Sequence, residues 1–261
     1  MCPAAESFAQ ALDWTAEVYR AAGNLMEEAG SLSGVADEGG WWPAFSTNDQ
    51  ALDTLVAAIE RAGFRPGEQV GIALDVAAAE FRNNGRYRLD RDRSELSTEG
   101  LIELLTDWIS RYPILSVEDP LAEDDADGFV AFTRAAGRTI QIVGDDFLVS
   151  DADRLRDAAL NRAANTVLLK PNQRGTLTET FDARRVAREC GYASIVSARS
   201  GETEDVTIAH LAVGWGAGQL KVGGFARGER MAKWNEILRI EEALGGKARF
   251  AGRSVLGRSP A

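Results

Sequence analysis

The sequence predicts an α/β fold built on parallel strands, and three observations carry that prediction. From about residue 70 onward, short apolar runs alternate with longer segments of helical period. The runs are nearly continuous in their apolar character, as strands buried on both faces are. Five of the six runs also finish on, or one step before, a charged residue, which places charge at the edge where parallel barrels open their sites.

The elements follow in order. Residues 6–28 read as a long amphipathic helix, followed by the loop Gly34-Val-Ala-Asp-Glu-Gly-Gly40 and a helix near residues 48–62, with no strong strand before residue 34. The strand runs are then Val70-Gly-Ile-Ala-Leu-Asp75, Ile114-Leu-Ser-Val-Glu118, Ile140-Gln-Ile-Val-Gly-Asp145, Thr166-Val-Leu-Leu-Lys170, Ala193-Ser-Ile-Val-Ser197 and Gln219-Leu-Lys221. Helices are expected between them at residues 99–112, 152–163 and 178–190, the last stopped by Gly191. Together these make six βα units. The domain organisation expected is one barrel domain over residues 1–252 and a polar, flexible tail over residues 253–261.

Composition bounds the function. A chain of 261 residues suffices for a single α/β barrel domain, and 45% hydrophobic with 26% charged residues is ordinary for a globular protein. Forty acidic residues against 29 basic ones give a net charge of −11, which repels phosphate backbones and anionic lipids. Nucleic-acid and membrane partners are therefore not expected. No apolar run approaches the length of a membrane span, and the first residues do not resemble a signal peptide, so the expected location is cytoplasmic. Cys2 and Cys190 read as unpaired thiols.

Asp75, Glu118, Asp145, Lys170 and Lys221 stand at strand ends, and the remaining run leads into Arg199. In a parallel barrel these three carboxylates and three cations would converge on one mouth. Hard oxygen donors from three strands suit Mg²⁺, which retains water or substrate oxygens in its other positions. Zinc is a poor fit, because the lone histidine, His210, reads as a helix-flank residue. A lysine beside a bound cation can work as a base near neutral pH, which suits removal of a proton α to a carboxylate. The stretch from Ser197 to Asp205 reads as the capped start of a helix, which by itself is either plain capping beside a surface arginine or, with Arg199, a seat for a phosphate.

The motifs Asp37-Glu-Gly-Gly40, Val117-Glu-Asp-Pro120, Gly144-Asp-Asp146, Leu168-Leu-Lys170-Pro-Asn-Gln173, Ser200-Gly-Glu-Thr-Glu-Asp205 and Leu238-Arg-Ile-Glu-Glu242 resemble the enolase (phosphopyruvate hydratase) family in order and spacing. The resemblance implies an enolase-like TIM barrel, truncated, with six βα units and without the family's N-terminal α+β domain and first barrel strands. It implies Mg²⁺ held by Asp75, Glu118 and Asp145, the last two also facing substrate. Lys170 would be the base that removes the C2 proton of 2-phosphoglycerate, and Glu38 the acid that assists loss of the C3 hydroxyl. Lys221 would hold the carboxylate, while Arg199 and Ser200 would grip the phosphate. The partner is then a small phosphorylated or phosphonylated carboxylate, and the expected assembly is a homodimer or a complex with a chain that supplies the missing strands. A longer polypeptide or a rebuilt barrel would answer the same need.

The sequence departs from the family pattern at the site walls. Ala198 stands where the family has a histidine. Val222-Gly-Gly-Phe-Ala-Arg227 replaces Thr-Gly-Ala-Pro-Ala-Arg, and Trp41-Trp42-Pro43 follows the Asp-Glu-Gly-Gly loop. The leading reading is a glycolytic, Mg²⁺-dependent lyase that dehydrates 2-phosphoglycerate to phosphoenolpyruvate. Ala198 beside an intact Arg199–Ser200 pair motivates a second, an enolase-like enzyme of phosphonate biosynthesis similar to carboxyphosphonoenolpyruvate synthase. A third is an inactive remnant that serves as a binding subunit.

Overall fold

The computed structural model describes residues 1–256, so the last part of the expected tail, residues 257–261, lies outside the described residues. In chain order the elements are α1 (Phe8–Glu28), β1 (Leu32–Val35), β2 (Trp41–Pro43), α2 (Asn48–Arg61), β3 (Ile72–Asp75), β4 (Arg82–Asn83), β5 (Arg86–Leu89), β6 (Ser94–Leu96), α3 (Thr98–Arg111), β7 (Ile114–Glu118), α4 (Ala126–Ala136), β8 (Gln141–Gly144), α5 (Ala152–Asn161), β9 (Thr166–Leu169), α6 (Pro171–Arg174), α7 (Leu177–Glu189), β10 (Ala193–Ser197), α8 (Thr207–Gly214), β11 (Leu220–Lys221) and α9 (Gly228–Leu244). A short 3-10 turn, Gly252–Val255, follows. The fold is α/β, with six strands in one sheet in the order β11-β10-β9-β8-β7-β3. These are the six apolar runs of the sequence.

The chain divides into two compact units. The first comprises Met1–Gly71 and Val196–Ser254. Here α1 starts at Ser7, whose hydroxyl accepts the Gln10 N–H, and α2 starts at Thr47, which accepts from Gln50 in the same way. The small face of α1, Ala21 and Ala22 with Met26, packs on Ala58 of α2, and Leu32 and Trp41 close the cluster. A second cluster joins Val196, Ile208, Ala212, Ala217 and Val222.

The second unit runs Ile72–Ile195 and takes up the chain again from Val255. Its parallel pairs β3–β7, β7–β8 and β8–β9 are fixed by register, with Asp75 opposite Glu118, Glu118 opposite Val143, and Gly144 opposite Val167. Polar caps start its helices: Ser97 for α3, Asp125 for α4, Asp151 for α5 and Thr176 for α7. Gly191, in the left-handed region at φ 78°, follows the end of α7 as expected.

Three features differ from the sequence reading. β1 and β2 form an antiparallel hairpin around the Asp-Glu-Gly-Gly loop, where no strong strand was predicted before residue 34. Strands this short carry too few residues to show a period of two. β4, β5 and β6 form an antiparallel meander in a segment whose dense arginines and aspartates mask its single buried side chain, Tyr87. Finally, the helix expected to start near Ser200 begins only at Thr207. Its N-cap residue is Val206, which makes no capping side-chain bond, and the Asp205 carboxylate accepts the Thr207 N–H instead. Ser200 therefore lies in a loop and not in a helix's first turn.

Candidate active site

The second unit brings four of the sequence-predicted groups to neighbouring strand ends. Asp75 closes β3 and Glu118 closes β7, and the two are direct register partners. Asp145 follows Gly144 at the end of β8, and Lys170 follows Leu169 at the end of β9. The Lys170 ammonium pairs with an Asp145 carboxylate oxygen. Glu118 and Asp145 are buried, whereas Asp75 is exposed and Lys170 half-buried.

Close supports hold these side chains. Asp119, at φ 39° in the left-handed region that Asp tolerates, accepts the backbone N–H groups of Asp145 at 2.9 Å and of Asp146 at 2.8 Å. One carboxylate thereby clamps the turn that presents Asp145. Gly144 is required at this turn, because a Cβ there would lie 2.6 Å from Leu148 Cγ. Carboxylate oxygens of Asp119, Asp145 and Asp146 all fall within 4.8 Å of one another. Burial pushes the Asp119 carboxyl up to about 7; its two backbone hydrogen bonds oppose that shift, and the neighbouring Asp145 and Asp146 charges add to it. The sequence reading missed Asp119 and Asp146 as part of the cluster, although both stand inside quoted motifs as the second residue of an acidic pair.

The carboxylates of Asp119, Asp145 and Asp146 could hold a metal ion. Hard carboxylate oxygens crowd a partly buried strand edge beside the Lys170 ammonium, and a divalent cation there would offset their mutual repulsion. Among the described residues, the group whose carboxylates lie close enough to share an ion is Asp119, Asp145 and Asp146, which includes Asp145 but neither Asp75 nor Glu118 of the expected set.

The first unit carries the other four predicted groups. Lys221 ends β11 opposite Ser197 of β10, and Arg199 and Ser200 follow in the exposed loop beyond that strand. Glu38 is exposed on the loop between β1 and β2, and its carbonyl accepts the Gly224 N–H at 2.7 Å. The loop meets Gly223 and Gly224 backbone to backbone. A Cβ at Gly224 would lie 2.3 Å from the Gly39 oxygen, and one at Gly223, where φ is 119°, 2.4 Å from the Glu38 oxygen. Tyr19 adds a hydroxyl donor to the Gly39 carbonyl at 3.1 Å.

Two buried cations on α9, absent from the sequence reading, hold the loop that contains Ser200. Arg230 donates to the carbonyls of Val222 and Ser200, and Lys233, with no exposed surface, donates to Thr203 and pairs with Glu202 at 2.8 Å. Their spacing of three on one helix was the available signal. His210 lies on α8 with Nε2 3.1 Å from Glu236.

Comparison with known proteins agrees with these motifs. A family model described as the enolase C-terminal TIM barrel domain matches residues 1–259. The chain is 45% identical over 254 residues to Enolase 1 of Desulfitobacterium hafniense (strain Y51), an alignment that covers 96% of this chain and 58% of that protein. The chain thus spans a little over half the length of this curated relative.

Proposed function

Because the chain belongs to the family of enolase C-terminal TIM barrel domains, we propose that it works in a Mg²⁺-dependent lyase reaction, the dehydration of 2-phosphoglycerate to phosphoenolpyruvate. The observation that carries this reading is the row Asp75, Glu118, Asp145 and Lys170 at the ends of four consecutive strands of the sheet order, closed by the Lys170–Asp145 pair. A lysine base beside a divalent-ion site is the arrangement used across the enolase superfamily for proton abstraction α to a carboxylate.

Lys170 takes the C2 proton, and its half-buried position keeps the amine beside the carboxylates without sealing it from substrate. When bound, Mg²⁺ supplies concentrated positive charge for the substrate carboxylate. Glu38, held by the glycine-to-glycine approach, gives a proton to the departing C3 hydroxyl. Lys221 orients the carboxylate, and Arg199 with Ser200 grips the phosphate.

The test is direct. The chain supplied with Mg²⁺ and 2-phosphoglycerate is expected to generate ultraviolet absorbance from the enol phosphate. Lys170→Ala should lower that rate by about 10²- to 10⁴-fold, the usual contribution of a positioned base. A folded chain with bound Mg²⁺ and no absorbance change would overturn the proposal.

A further inference from the structure

Ser150 has no exposed surface, and nothing in the proposed chemistry uses it. It occupies a strained stretch. Val149 and Ser150 both sit in the left-handed region, at φ 44° and 53°. For a β-branched valine this is an unfavourable conformation, and such residues persist only where their surroundings over-determine them. The surroundings here are specific. The Val149 N–H reaches back to the Asp145 carbonyl at 2.7 Å, and the two left-handed residues turn Ser150 inward.

The inward hydroxyl meets the segment that carries Lys170. Ser150 Oγ accepts the Lys170 backbone N–H at 2.8 Å. Its own proton has two acceptors at 3.2 Å, the Leu168 carbonyl and Gln173 Oε1. Gln173 in turn donates from Nε2 to Asp146 Oδ1 at 3.3 Å. The turn after β8, the end of β9 and the short α6 are thus tied at one hydroxyl. Lys170 sits at that tie, between the end of β9 and the start of α6, and the Ser150 hydroxyl takes its N–H.

We propose that Ser150 is a positioning residue for Lys170: its hydroxyl fixes the backbone at the end of β9 so that the lysine amine stays on Asp145. The proposal rests on the reading of Lys170 as the base, and it adds a dependence of that base on a residue that touches neither substrate nor metal. The geometry calls for a hydroxyl in particular. One atom must accept from Lys170 while donating toward Leu168 or Gln173, and alanine can do neither.

The experiment has two independent readouts. Ser150→Ala is expected to lower kcat about 10- to 100-fold with KM held within about twofold, the signature of a misplaced catalytic group. Separately, and without substrate, hydrogen exchange at the Lys170 backbone amide, followed by peptide mass spectrometry, should quicken several-fold in Ser150→Ala, because that N–H loses its acceptor. Should Ser150→Ala fail to fold, Ser150→Cys offers similar volume with only a weak acceptor, and the same two changes are expected. Unchanged kcat together with unchanged exchange of the Lys170 amide, whatever the melting temperature, would overturn the positioning role. A parent chain without turnover would instead defeat the proposed reaction, and the amide-exchange readout would still decide on Ser150.

Discussion

Ala198 shows how one side chain can separate two readings of a site. It is half-buried and packs against the cluster of Val196, Ile208, Ala212, Ala217 and Val222, in the company of Trp215 and Trp234. The family pattern has an imidazole here, so the substitution removes a polar partner and leaves a methyl group on an apolar wall. Ala198→His is expected to raise turnover of 2-phosphoglycerate, at a cost of about 1–3 kcal/mol in stability for overpacking that wall. Steady-state rates with Mg²⁺ and a thermal melt check both parts. An unchanged rate would remove the argument for a phosphonate substrate. Lys233 makes the same point about context. A lysine with no exposed surface is tolerable only because the Glu202 carboxylate and the Thr203 carbonyl meet its ammonium.

At the scale of elements, the antiparallel meander β4–β6 depends on Tyr87. Its ring is fully buried, and its hydroxyl donates to Asp125 Oδ2 at 2.9 Å while accepting the Ala122 N–H at 3.0 Å. Asp125 is also the N-cap of α4, so the phenol couples β5 to that helix. Burial pushes the Tyr87 phenol up to about 12 from its ordinary value near 10, with the Asp125 charge adding to the shift. Between these two values the unfolded chain has released the proton and the folded chain still holds it. Stability must therefore fall as pH rises through that window. Tyr87→Phe is expected to cost about 1–3 kcal/mol at neutral pH, since it strands the Ala122 N–H, and to flatten the alkaline loss. Denaturant melts from neutral pH to pH 12 would read both effects. A slope identical in the variant would show that other groups govern alkaline unfolding.

For the whole molecule the net charge of −11 makes anion capture a local matter. Among the described residues no helix is long and apolar enough to cross a membrane. Mg²⁺ that binds only the folded chain raises its stability by roughly 3 kcal/mol when the free ion is about a hundredfold above its dissociation constant. Thermal melts of chelator-treated chain with increasing Mg²⁺ are expected to show this rise, and Asp75→Asn should abolish most of it. An equal rise in the variant would place the ion elsewhere.

The sequence by itself determined the six parallel strands, the main helices and the placement of Asp75, Glu118, Asp145 and Lys170 at strand ends. These follow from local rules: apolar runs of strand length, amphipathic period, and polar caps such as Ser97 and Thr176 one residue ahead of their helices. Only the tertiary structure decided which groups support that row. Asp119 clamps the backbone of Asp145 across 26 positions and Ser150 reaches Lys170 across 20; in the first unit, by itself, Arg230 reaches the Ser200 carbonyl across 30. Left-handed backbone at Val149, and the close approach of Gly224 to Gly39, leave no periodic mark on a chain. A strand's neighbour within the chain sets its period, whereas the partner of a buried polar atom is chosen only when distant segments pack together.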